Sequence, residues 1–185
     1  PGDVFIEKHL EHCSPQEKAQ IAKEFVKFNE RCLIGLLGDM RSYNYVVIPT
    51  HDFDQVVYRI RPIDFDQQCY EGKKNLYLPQ FYKENFEFVE LVLKSLSPDV
   101  IEQYQTEERT TMAYRVIAGR RQIMELLNIM IKDELSENYK VKILRDELNE
   151  HFKTTYFSRC KTMGAILKRQ LKQMLQKHLR QVQDS

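Results

Sequence analysis

Residues 38–66 read GDMRSYNYVVIPTHDFDQVVYRIRPIDFD, and the tripeptide Asp-Phe-Asp occurs in them twice, at 52–54 and at 64–66. Five acids fall in this stretch: Asp39, Asp52, Asp54, Asp64 and Asp66. Tyr45 to Ile48 is aromatic and β-branched, which favours a strand. Pro49-Thr50-His51-Asp52 reads as a turn or loop. Val56 to Arg61 alternates, Tyr58 and Ile60 facing one way and Arg59 and Arg61 the other, as a second strand does. A β-hairpin is the natural assembly. Hairpin geometry then sorts the acids. Seven residues separate Asn44 from Asp52, too few for the chain to run out and return at about 3.3 Å per residue. Asp52 and Asp54 therefore belong at the tip. Nineteen residues separate Asn44 from Asp64, enough for the round trip. Asn44 and Asp64 are expected side by side at the base, with Asp39 in the loop just before.

The flanks read as helices. Ser14-Pro15-Gln16-Glu17 is a capping-box start, with proline at the first helical position. Ile21, Phe25, Phe28, Cys32, Leu33 and Leu36 recur at helical spacing, so this helix is buried along one face and ends near Gly35 to Gly38. Beyond a loop over 67–79, helical patterns cover 81–96, about 106–135, about 137–157 and about 162–182, and Ser97-Pro98-Asp99 restarts a helix by the same capping logic. The fold class is α+β, predominantly helical. A two-stranded hairpin is not stable alone and must lie on the helical body.

Composition narrows the function classes. The chain has 185 residues, 28 basic against 27 acidic, for a net charge near +1. That balance gives no reason to expect a nucleic-acid or anionic-membrane partner. No apolar run approaches the roughly 20 residues of a membrane span. Cys13, Cys32, Cys69 and Cys160 form no CxxC pair, which argues against zinc and for free thiols in a reducing, cytoplasmic setting. His51-Asp52 lacks a third group, and His9 and His12 read as surface. The segment from Lys161 is a basic amphipathic helix, expected to pack by its apolar stripe with its cations solvated.

At the hairpin base, Asp39, Arg41, Asn44 and Asp64 converge. A carboxylate and an amide oxygen are hard ligands suited to Mg²⁺, which completes its shell with water and substrate phosphate. Asp39 can orient or deprotonate a hydroxyl, and Arg41 can neutralise a transferring phosphoryl group. On these residues, "GDMRSYN" followed by "IDFD" resembles the catalytic core of the protein-kinase-like superfamily, and looks closest to its small-molecule and atypical branch. In that superfamily a catalytic-loop aspartate is followed by four residues, an asparagine, a hairpin and a metal-holding Asp-Phe pair. The resemblance implies a kinase-like C-terminal lobe over 1–160, with its catalytic loop at 38–44 and its metal motif at 63–66, and a C-terminal helix over 161–185. It implies Asp39 as catalytic aspartate, Arg41 as the basic residue on transferred phosphate, and Asn44 and Asp64 as metal and nucleotide ligands. Asp66 would be an auxiliary ligand. The cofactors implied are Mg²⁺ and ATP, and the acceptor is a hydroxyl of unspecified class. Leu37-Gly38 replaces the usual residues before the aspartate, and Asp66 replaces the glycine of typical protein kinases. The six glycines form no glycine-rich loop. The smaller lobe is therefore expected upstream or in another chain, and this chain alone is expected to have weak or no activity. Two alternatives stand beside this one: a non-catalytic kinase-like scaffold, and an unrelated helical interaction module.

Overall fold

The computed structural model describes residues 1–63 and 68–184. It is mostly helical, with one two-stranded antiparallel sheet. In chain order the regular elements are α1 (Gly2–Lys8), α2 (Pro15–Gly35), β1 (Tyr45–Asp52), β2 (Gln55–Pro62), α3 (Phe86–Ser95), α4 (Pro98–Ala118), α5 (Arg120–Lys132), α6 (Asn138–Phe152) and α7 (Met163–Asp184). Asp64 and Asp66, expected in the metal motif, lie outside the described residues.

The α2 helix organises the molecule. Its capping box forms as the sequence requires: Glu17 N donates to Ser14 Oγ at 3.1 Å, and Ser14 N donates to Glu17 Oε1 at 3.1 Å. Such a cap stabilises a helix by about 1 kcal/mol. The helix then contributes to two cores. Ile21, Phe25, Phe28 and Cys32 join Phe5, Tyr45, Ile60 and Phe88 in an aromatic core under the hairpin. Phe28 meets Tyr45 edge-on at 5.2 Å between ring centroids, a favoured aromatic geometry. Leu33, Ile34 and Leu36 join the second, aliphatic core with Leu127, Leu144, Ile166 and Leu175 of the later helices.

A polar row on α2 holds the hairpin. Gln20 accepts from Tyr58 N at 2.8 Å and donates to Tyr58 O at 2.9 Å. Glu24 accepts from Ile60 N at 3.2 Å, and Arg31 donates to Ile60 O at 3.0 Å. Glu17 Oε2 accepts from the Tyr58 hydroxyl at 2.9 Å. Spacings of three, four and seven put these side chains on one helix face. They satisfy the backbone edge of β2 that no third strand covers, which is how a two-stranded sheet is kept in place.

Several expectations change. The segment Pro49 to Asp52 is strand, not loop: β1 and β2 pair from Tyr45↔Pro62 to Asp52↔Gln55. Pro49 is tolerated because it lies opposite Tyr58, whose own N–H and C=O turn outward to Gln20. The helix over 81–96 begins only at Phe86, after 3-10 turns at Pro79–Phe81 and Lys83–Asn85. The long helix expected over 106–135 is two helices, α4 and α5, divided at Gly119. The helix expected over about 137–157, α6, stops at Phe152, where Lys153 takes a left-handed conformation. The α2 helix ends at Gly35, within the expected span, and its left-handed cap at φ 50° is Leu36 and not a glycine. Leu36 is fully buried in the aliphatic core, and that burial offsets the strain.

The C-terminal helix packs as its pattern requires. Met163, Ile166, Leu167, Met174 and Leu175 are buried. Gly164 sits where any Cβ would overlap the Met130 backbone, so α5 and α7 approach at van der Waals contact. Among the described residues, no helix is long and apolar enough to cross a membrane.

Candidate functional site

The base of the hairpin is a tied cluster. After α2 the chain passes Leu37, which bridges to Gln68, and turns at Asp39 with φ 56°. Aspartate tolerates that left-handed geometry better than most side chains. A short 3-10 turn over Ser42–Asn44 then feeds β1. Ile63 N donates to Asn44 O at 3.0 Å, which closes the ladder at the base. Asp52 and Asp54 sit at the other end, exposed, as hairpin length requires.

Asp39 is held from three sides. Arg41 Nε donates to Asp39 Oδ1 at 2.8 Å. Asn44 Nδ2 donates to Asp39 O at 2.7 Å and to Asp39 Oδ2 at 3.2 Å. The Tyr82 hydroxyl accepts from Asp39 N at 3.2 Å and donates to Leu76 O at 2.8 Å. The structure thus brings Asp39, Arg41 and Asn44 together as the sequence predicts. Because both bonds of the Asn44 amide run through its nitrogen, its orientation is set. Oδ1, on the opposite side of that planar group, faces away from Asp39.

Arg41 is more engaged than a loop arginine is expected to be. Its Nη1 donates to Glu84 Oε1 at 3.1 Å, and its guanidinium lies 4.9 Å from the centre of the Tyr82 ring. The hydrogen bond with Asp39 is the chief cause that keeps the guanidinium firmly protonated, with Glu84 adding to it. Glu84 is held below the usual glutamate range, first by its own backbone N–H and then by Arg41, against the opposing effect of burial. Glu84 Oε2 is buried and has no hydrogen-bond partner among the described residues, so an acceptor oxygen is left over beside the cluster. Burial, with the Asp39 charge adding, pushes the Tyr82 phenol up to about 12, against the bond from Asp39 N, and the phenol stays neutral.

Under this cluster lies a buried amide that sequence reading did not find. Asn85 is completely buried. Its Nδ2 donates to Met40 O at 2.9 Å and to Pro79 O at 2.8 Å, and its Oδ1 accepts from the Tyr45 hydroxyl at 2.6 Å. Asn85 therefore joins the Asp39 loop, the 3-10 segment and the start of β1. Its sequence neighbourhood, Lys83-Glu84-Asn85, is polar and resembles any surface turn, so nothing local marks it.

No group of three or more histidine, cysteine, aspartate or glutamate residues that could hold a metal occurs among the described residues. Asn44 Oδ1 is a hard oxygen donor that suits Mg²⁺, an ion that takes few protein ligands and completes its shell with water and phosphate, and it faces away from the Asp39 carboxylate. Compared with known proteins, the chain matches no family model, no curated protein and no solved structure.

Proposed function

We propose that this chain is the larger lobe of a kinase-like, ATP-dependent phosphotransferase acting on a hydroxyl acceptor. The observation that carries the reading is the Asn44 side chain, bonded to both the backbone and the carboxylate of Asp39 at the closing end of a hairpin. This unit holds a carboxylate and an amide at fixed orientation on one loop, which supports the reading. In the proposed reaction the Asp39 carboxylate orients the acceptor hydroxyl and takes its proton. The hydroxyl oxygen attacks the terminal phosphorus of ATP, and ADP leaves with the electrons of the broken P–O bond. Asn44 and Asp64, with Asp66 as auxiliary, would hold Mg²⁺, which would supply charge neutralisation on the phosphates. Arg41 in its present pairing positions Asp39, and reaches transferred phosphate only by leaving Glu84. The reaction requires a smaller lobe with a phosphate-covering loop, and a reducing cytoplasm suits the four thiols.

Mn²⁺ binding in the presence of ATP, followed by water-proton relaxation, tests this without depending on turnover. The expected result is saturable enhancement that weakens about tenfold or more in Asn44→Ala and Asp64→Ala, with Asp52→Asn and Asp54→Asn unchanged. Equal loss in the tip variants, or no enhancement in the unaltered chain, overturns the assignment.

A further inference from the structure

A cavity of about 710 Å³ opens between α2, β2 and α4. Asp39, Arg41 and Asn44 are not among its lining residues. Five cations line it, Lys27, Arg31, Arg59, Arg61 and Arg115, against two carboxylates, Glu24 and Glu108. The floor is partly neutralised by one arginine set between two carboxylates. Arg31 contacts Glu24 at 2.7 Å and Glu108 at 3.4 Å, and both acids are buried. Lys27 is paired with Glu107 at 3.1 Å. Arg59 reaches Glu24 only at 3.8 Å. Arg61 and Arg115 are exposed and make no ion pair among the described residues. Phe28, Leu37 and Met112 add apolar wall.

We propose that this cleft binds a small organic phosphate, its charged group held by Arg59, Arg61 and Arg115 and its apolar body set against Phe28, Leu37 and Met112. Arg61 and Arg115 line one concave cleft without an ion pair among the described residues, Arg59 is only loosely paired, and low-dielectric walls focus their field into the cleft. The guanidinium fork matches phosphate oxygens two at a time, which a lysine point charge cannot do. The volume falls in the range of small-molecule sites. Arg31 balances one of the two floor carboxylates and Arg59 faces the other at 3.8 Å, so the cleft keeps Arg61 and Arg115 as its excess positive charge. The inference does not depend on the kinase-like reading.

Calorimetric titration with phenyl phosphate and with inorganic phosphate tests it. The expected result is one site per chain, with phenyl phosphate bound more tightly than inorganic phosphate because only it reaches the apolar wall. The Arg61→Gln/Arg115→Gln double variant is expected to weaken binding about tenfold or more. Arg61→Lys/Arg115→Lys, which keeps the charge, is expected to weaken it several-fold. Arg121→Gln, an exposed arginine on α5, and Asn44→Ala are expected to bind as the unaltered chain does. All four altered positions are exposed or half-buried, and circular dichroism confirms that each variant is folded. Absence of saturable binding at millimolar ligand overturns the proposal. So does unchanged affinity in the double lysine variant, which reduces the effect to unspecific charge. Loss in Asn44→Ala overturns it too, since the phosphate would then belong to the other site.

Discussion

The two ends of the β1–β2 hairpin carry similar residues and have different surroundings. At the tip, Asp52, Phe53 and Asp54 are exposed, and the Phe53 ring is 100% accessible to solvent. At the base, Asp39 is bonded by Arg41, Asn44 and Tyr82, and the loop that carries it rests on the fully buried Asn85. An acid beside an aromatic ring acquires a set orientation only where other groups supply donors. The tip supplies none to its acids among the described residues, and the base supplies several.

The sharpest way to break this contrast is Asn85→Ala. The substitution strands the Tyr45 hydroxyl, Met40 O and Pro79 O in a buried setting. The expected loss is about 3 kcal/mol in urea unfolding, against less than about 0.5 kcal/mol for Asp52→Asn at the tip. Comparable losses at the two ends would mean that the base is no better tied than the tip. Next in size is Asn44→Ala. It removes both bonds to Asp39 in a partly exposed setting, so the expected cost is about 1 kcal/mol. Backbone amides of residues 38–44 should exchange faster with solvent while those of α2 keep their protection. Uniform acceleration across the chain would instead mean a global loss, not a local one.

The tip position of Asp52 and Asp54 was legible from chain length alone, because seven residues after Asn44 leave no room for the chain to run out and return. The Ser14 cap and the apolar faces of α2 and α7 were legible from spacing. The polar row of Glu17, Gln20, Glu24 and Arg31 was equally periodic, but a polar stripe ordinarily means solvent, and only the bare edge of β2 gives it a task. Asn85 and Glu84 were illegible, since their partners lie about 40 residues away and come near only through the 3-10 segment. Pro49 misled for a physical reason. Proline stops a central strand, yet here it occupies a position where the outward N–H has no ladder partner to lose. The division at Gly119 was marked by glycine in the sequence, and the continuous apolar pattern on either side hid it.

At the tip, the sharpening test runs in the opposite direction. Phe53 holds a left-handed φ of 53° and buries nothing in return. Glycine at that turn position carries no Cβ penalty, so Phe53→Gly is expected to raise stability by about 0.5–1 kcal/mol in urea unfolding. A loss of stability would mean that the ring makes contacts in solution, and the tip would no longer be idle.

The smallest expected effect concerns pH at the base. Glu84 lies below the ordinary glutamate range in the folded chain, chiefly through its own backbone N–H, with Arg41 as a further cause. A depressed carboxylate stabilises the fold at pH values above its unfolded value, and that contribution disappears as pH falls through the lower folded value. Arg41 and Glu84 are both partly exposed, so solvent screening limits the effect to about 0.5 kcal/mol. Glu84→Gln should therefore be less stable than the unaltered chain at pH 7, and the gap should narrow as pH drops below the ordinary glutamate range. Added salt should narrow the same gap at pH 7, because the Arg41 part is a screened ion pair while the backbone part is not. A gap that stays constant from pH 7 to pH 3 would place the role of Glu84 in packing. In that case Arg41 would be tethered to Asp39 alone, and free to swing toward a phosphate without breaking a second bond.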